Sequence, residues 1–181
     1  MIPNPLRRPP EPRARPTTRL GVLAAALALA GCYGSQTLLL DPAQAAHPLA
    51  DGVYAQSGDG GARLRLTLEP DGWYAVEQLD AQGVLGETHR VLVNSLGGDY
   101  VLADDGEDGF TYAVARIEGE QLYLAAPDCA DPLDRDDAED QGATLDDGPS
   151  NLCRFSTRAA LTAALTAFEA HADFGAPFQR R

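Results

Sequence analysis

Three cysteines, three histidines and a crowd of carboxylates are the groups in this 181-residue chain whose types and spacing could do chemistry. The histidines, His47, His89 and His171, stand far apart. No His-Glu-x-x-His pair, Gly-x-Ser-x-Gly elbow or glycine-rich phosphate loop accompanies them. Catalysis needs a base, a nucleophile and a charge-stabilising group held together, and no motif here assembles them, so the chain reads as a non-enzyme. The carboxylates concentrate in residues 128–153: Asp128, Asp131, Asp134, Asp136, Asp137, Glu139, Asp140, Asp146 and Asp147. The register nearest a calcium loop starts at Asp137 and supplies Glu139, Gln141 and Gly142. It then puts Gly148 where a bidentate Glu is required, so no specific cation site is expected. Cys129 and Cys153 lack the further Cys or His that a zinc site needs, so no metal is expected there either.

Cys32 is a different case. Residues 1–31 carry Arg7, Arg8, Arg13, Arg15 and Arg19, with Glu11 the one acid. An uncharged run from Leu20 to Gly31 follows, and a basic leader with a short apolar core is the pattern of an export signal. Twelve residues are too few to cross a hydrocarbon layer of ~30 Å. The run ends in Leu29-Ala30-Gly31-Cys32, which resembles the lipobox of bacterial lipoproteins. The resemblance covers the first 32 residues. It implies cleavage between Gly31 and Cys32, a diacylglyceryl group on the Cys32 sulfur and an acyl chain on its amine, with no other cofactor. A cysteine is required because its thiolate is the nucleophile that accepts the diacylglyceryl group. Each buried methylene contributes ~0.8 kcal/mol, so two or three chains anchor almost permanently. Tyr33 follows where an Asp would imply retention at the inner membrane, so the resemblance points to the outer membrane, facing the periplasm. Arg7-Arg8 looks like a twin-arginine signal, but Pro9-Pro10 follows and the apolar core starts far downstream, which favours general secretion. With Cys32 taken by lipid in an oxidising compartment, Cys129 and Cys153 are expected to form a disulfide.

Charge narrows the partners. The chain holds 14 Arg and 27 acids, and residues 32–181 keep nine Arg against 26 acids, a formal charge of −17. A surface so acidic excludes nucleic acid, whose phosphates need a basic face, and a polybasic membrane patch. The remaining partners are the membrane, through the lipid anchor, and an envelope protein or the cell wall.

The elements that position these groups follow from periodicity. Residues 32–48 read as the lipidated N-terminus and a tether of ~20–24 Å reach if flexible. Leu38-Leu39-Leu40 offers the alternative of an edge segment packed on the domain. Residues 49–181 read as one globular domain. Leu64, Leu66 and Leu68 alternate with Arg63, Arg65 and Thr67, then Pro70-Asp71-Gly72 turns the chain into 73–79. Further strands are expected at 52–56, 89–94, 99–103, 110–118 and 121–126, joined by short turns that imply antiparallel neighbours. Tyr74-Ala75-Val76 and Tyr112-Ala113-Val114 echo one another, as Gly60-Gly61 and Gly97-Gly98 do; a duplicated hairpin unit would account for this, and so, as the favoured reading, would the turn grammar that any two hairpins share. The acidic stretch 128–153 is too polar to bury itself and reads as a surface loop. Residues 157–172 read as a helix capped by Ser156, with Leu161, Ala164, Leu165 and Phe168 on one face and His171 in its last turn. That face is expected to cover the leucine face of the sheet.

The expected fold is therefore α+β: an antiparallel meander of six or seven strands, curved or barrel-like, with one C-terminal helix packed on it. The expected function is that of a membrane-anchored envelope lipoprotein with a non-catalytic interaction or structural role. The alternative is a barrel-like module for a small apolar or lipid ligand, with some of Trp73, Tyr74, Tyr100, Phe110, Tyr112 and Tyr123 lining its cavity instead of an ordinary core.

Overall fold

Leucine alternating with arginine gives one strand an apolar face and a charged face, and a ring of such strands can bury the first and expose the second. The computed structural model describes residues 32–58, 61–80, 82–83, 85–146 and 151–181, and it has this arrangement. The expected signal and its Gly31–Cys32 junction lie, apart from Cys32, outside the described residues, as do Gly60, Asp147 and Gly148. Strands β2 (Gly52–Gln56), β3 (Arg63–Leu68), β4 (Tyr74–Leu79), β5 (Leu85–Leu96), β6 (Asp99–Gly106), β7 (Gly109–Glu118) and β8 (Gln121–Ala125) run up and down, each antiparallel to the next. A short strand near the C-terminus, β11 (Phe178–Arg180), lies between β8 and β2 and pairs with both. It closes eight antiparallel strands into a barrel, one more than the meander alone supplies.

Closure creates two apolar layers. Leu64, Leu66, Tyr74, Val76, Val93 and Leu102 fill the lumen. Outside, Leu92, Val101, Tyr112 and Val114 of β5–β7 form a second core with α2 (Arg158–Glu169), which contributes Leu161, Ala164, Leu165 and Phe168. The helix thus does not cover the leucine face of β3. The ring encloses Leu64 and Leu66, while Leu68 at the strand end is exposed. The helix packs instead where strands are apolar on both faces: Val91 and Val93 point in, Leu92 and Leu96 out. Its cap is Thr157, whose side chain accepts the Ala160 N–H at 3.3 Å, one residue later than expected. The echo between Tyr74 and Tyr112 does not mark a repeat, because Tyr74 faces the lumen and Tyr112 the outer core.

Two further expectations are corrected. The segment after Cys32 is no tether. Tyr33–Ser35 forms β1, antiparallel to the first half of β7 and parallel to β10 (Cys153–Arg154), which pairs in turn with β9 (Thr144–Leu145). Leu40 is buried, Ala46 donates its N–H to the Val93 carbonyl, and Asn94 donates to the Asp41 carbonyl, so residues 33–46 are laid along the barrel wall. The acidic stretch is not all loop either. It contains α1 (Pro132–Asp140), started by the Asp131 carboxylate accepting the Leu133 N–H at 2.9 Å and by Pro132 in its first turn.

Leu165→Ala should cost about 2–5 kcal/mol if α2 is docked through this outer core. Thr162→Ala, on the exposed side, should stay within ~0.5 kcal/mol. Urea denaturation of the two variants checks the contrast; equal costs would detach the helix from the barrel.

Candidate functional site: Cys32 and its backbone clamp

The site is assembled by three chain segments that meet where β8 ends. Cys32 donates its backbone N–H to the Pro127 carbonyl at 2.9 Å, and its own carbonyl accepts the Cys153 N–H at 2.8 Å. Both backbone groups of Cys32 are therefore committed. The Cys129 sulfur lies 3.4 Å from the same Cys32 oxygen, and Cys129 is disulfide-bonded to Cys153. The bond expected from the sequence thus joins the two segments that hold Cys32. In the chain-entropy view a 24-residue separation contributes about 3 kcal/mol. Cys32 is the one free thiol of the three cysteines, and it is half-buried.

One residue further on the chain is wholly interior. Tyr33 packs tilted against Phe155 and Phe168, with ring centroids 5.2 and 6.4 Å away, and its hydroxyl donates to the Asp134 carbonyl of α1. Burial raises that phenol, with Asp134 and Asp137 adding to the effect. Ser35 shares a 2.7 Å hydrogen bond with the Tyr112 hydroxyl, which accepts the Leu39 N–H at 3.1 Å. Close approach of β1 to β7 also requires Gly109, which has φ 116°, and whose added Cβ would collide with the Ser35 carbonyl oxygen.

Charge surrounds the sulfur. Asp128 lies 3.9 Å from Cys32 Sγ, and the buried Asp134 carboxylate accepts the Asp128 N–H at 2.7 Å. Burial pushes the Cys32 thiol up, Asp128 pushes it further, and the Cys129 backbone partly opposes both. A protonated thiol on a fully bonded backbone is a poor nucleophile and a poor peptidase substrate.

The other groups singled out by sequence do not converge here. His171 does not act alone at a helix end. It bridges α2 to α1, with Nε2 2.8 Å from Asp137 and Nδ1 3.8 Å from Asp134. That contact uses Asp137, the first residue of the nearest calcium register, and α1 holds Asp137 and Glu139 as helical side chains. Among the described residues no three His, Cys, Asp or Glu side chains are grouped to hold a metal ion. His47 lies beside Tyr74 at 6.3 Å between ring centroids. Trp73 lies outside the lumen under the Arg90 guanidinium, 5.0 Å from its ring. His89, singled out with the other histidines, has as its partner Asp104, which no motif had marked. They meet at 3.0 Å at one end of the barrel, on strand positions that face the lumen, since Asp104 is in register with lumen-facing Val91. Period-two parity along β5 and β6 would have shown their shared face, but not their register.

Two consequences are measurable. Burial raises the Asp104 carboxyl above the ordinary carboxylate range, against the opposing pull of His89. A carboxyl that holds its proton more tightly folded than unfolded favours the fold at low pH. That contribution fades as pH climbs from the unfolded value, about 4, through the raised one. Asp104→Asn should therefore raise Tm at neutral pH and flatten its pH dependence above about pH 4. A lower Tm at neutral pH would mean the pair with His89 outweighs burial. Replacing Cys129 and Cys153 together by Ser should cost about 2–5 kcal/mol in urea and speed alkylation of Cys32, because the clamp on its carbonyl loosens. Unchanged alkylation would show that the disulfide does not hold this site. Comparison with known proteins finds no matching family model, no similar curated protein and no similar solved structure.

Proposed function

We propose that the protein is a bacterial lipoprotein whose acidic barrel is held at a membrane by acyl chains on Cys32 and serves there as a non-catalytic interaction or structural module. The observation that carries this reading is the placement of Cys32. It is the one cysteine outside the disulfide, it reaches the surface, and it directly precedes a strand that locks into the fold. An acylated Cys32 amine keeps one N–H, which is what the Pro127 carbonyl accepts. The raised thiol and the committed backbone are compatible with modification during export, before the barrel closes.

The barrel itself has the wrong polarity to enter a bilayer. Membrane barrels are apolar outside and polar within. Here Leu64, Leu66 and Val76 fill the inside, while Arg65 pairs with Glu77 at 3.2 Å and Arg90 with Glu69 at 3.0 Å on the outside. Among the described residues no helix is long and apolar enough to cross a membrane. Attachment through a covalent lipid suits such a body. The location proposed is the periplasmic face of the outer membrane, with an envelope protein or the cell wall as partner of the acidic surface.

The alternative, a small-ligand barrel, shares the fold. It is the weaker reading because the lumen is filled. Its cavity, lined by Leu64, Leu66, Tyr74, Val76 and Leu102 among others, measures about 30 Å³. A hollow between Tyr54, Ile117 and Arg180 measures about 90 Å³. An apolar cavity that takes up benzene is on the order of 150 Å³.

Mass spectrometry of the protein from cells with full export machinery tests the reading. The expected N-terminal peptide begins at Cys32 and carries a diacylglyceryl thioether and an amide-linked acyl chain. Cys32→Ser should lose both masses and leave residues 1–31 attached. A mature peptide with an unmodified Cys32 thiol would overturn the proposal.

A further inference from the structure

In a lipoprotein with a flexible leader the body can tumble above the bilayer, so the position of the anchor says little about which face meets lipid. Here no flexible spacer separates Cys32 from the barrel. Tyr33 is fully buried, and Cys32 is tied on both sides of its backbone. Whatever surface surrounds Cys32 must then lie within the length of a glyceryl linkage of the membrane. That surface has a character of its own. Among the described residues three large hydrophobic side chains are exposed: Leu68 at 37 %, Leu133 at 52 % and Leu145 at 43 %. Two of them belong to the segments that hold the anchor. Leu145 is the register partner of Cys153, whose N–H binds the Cys32 carbonyl. Leu133 opens α1, four residues after Cys129. Leu68, at the end of β3, lies at the other end of the barrel, since the β7 residues beside β1 are at the start of that strand and β3 begins, not ends, at that level.

Resting on the lipid-anchor reading above, we propose that the barrel docks on the bilayer in one orientation, with the Cys32 face down and Leu133 and Leu145 at the lipid interface. The surface it fits is zwitterionic. Asp128 lies 3.9 Å from the Cys32 sulfur, and Asp131, the N-cap of α1, is exposed together with Asp136, Glu139 and Asp140 of that helix. Anionic head groups would be repelled over the Debye length of ~10 Å, whereas phosphatidylcholine-like head groups carry no net charge. Leucines beside a fixed acyl anchor need bury only their own side chains to orient the body, because the acyl chains already hold it at the surface.

The test uses the full chain, exported, processed and purified from membranes, with its acyl mass confirmed. Leu133→Trp, Leu145→Trp and Leu68→Trp are each made in a Trp73→Phe background and reconstituted into phosphatidylcholine vesicles containing brominated acyl chains. Tryptophan at 133 and 145 should be quenched at least about two-fold more than at 68, as a side chain at the head-group boundary requires. Replacing one third of the lipid, roughly, with phosphatidylglycerol should reduce quenching at both, and raising the salt should restore it. Equal quenching at all three positions, on protein that carries the acyl mass, would overturn the fixed orientation and leave the lipoprotein reading standing. Absence of the acyl mass would overturn both. Quenching unchanged by phosphatidylglycerol would overturn the zwitterionic preference.

Discussion

The rest of the structure depends on the insertion of one three-residue strand, Tyr33–Ser35, between β7 and β10. β7 is long enough to pair with β6 along its whole length while its other edge is shared, with β8 over 114–118 and β1 over 110–112. Without β1 that second edge would be half bare, and an open edge is a hazard that folds cover or remove. β1 covers it, and Tyr33 supplies the large side chain around which Phe155 and Phe168 pack. The disulfide then ties the segment after β8 to β10, the strand on the far side of β1. The N-terminal strand is thus enclosed by sequence-distant partners, and it is the last place one would put a hinge.

Polarity and closure explain the remainder. A barrel with leucines inside and arginine–carboxylate pairs outside is stable in water and foreign to lipid. Its lumen is lined by apolar side chains around a cavity of about 30 Å³. The outer core between β5–β7 and α2 gives the barrel's surface rigidity. Arg116 reinforces it, bidentate on the nearly buried Asp99, stacked on Phe174 at 4.3 Å and within 4.0 Å of Glu169 on α2. The same network raises the Glu169 carboxyl, first through burial and then through Asp99.

The meander was legible because leucine–arginine alternation and Pro-Asp-Gly or Gly-Gly corners are local signals. The strands expected at 52–56, 110–118 and 121–126 match β2, β7 and β8 to within a residue. The helix was legible from Leu161, Ala164, Leu165 and Phe168. Its docking face was not, because closure of the ring is a long-range event decided by β11, whose three residues hold no readable period. β1 was hidden for the same reason: Tyr-Gly-Ser has little alternation, and only register with β7 gives it a role. α1 was hidden by composition. Only Asp134 and Ala138 of its nine residues are buried, so no apolar stripe announced it, although Asp131-Pro132 is a readable helix start. At the candidate site, the pairing of Cys129 with Cys153, which leaves Cys32 as the free thiol, was readable. The clamp on Cys32 was not, since it is made by Pro127 and Cys153, some hundred residues away along the chain.

Cys32 is joined to the barrel without a spacer, because Tyr33 is already a sheet residue and both backbone groups of Cys32 are hydrogen-bonded. Native-state amide hydrogen exchange on residues 32–36 measures this directly. The expected result is protection of the Cys32 amide comparable to that of the β7 amides, because both are held in one sheet-bound unit whose opening is close to global. Exchange of residues 32–36 at the rate of an unstructured peptide, with β7 still protected, would contradict it.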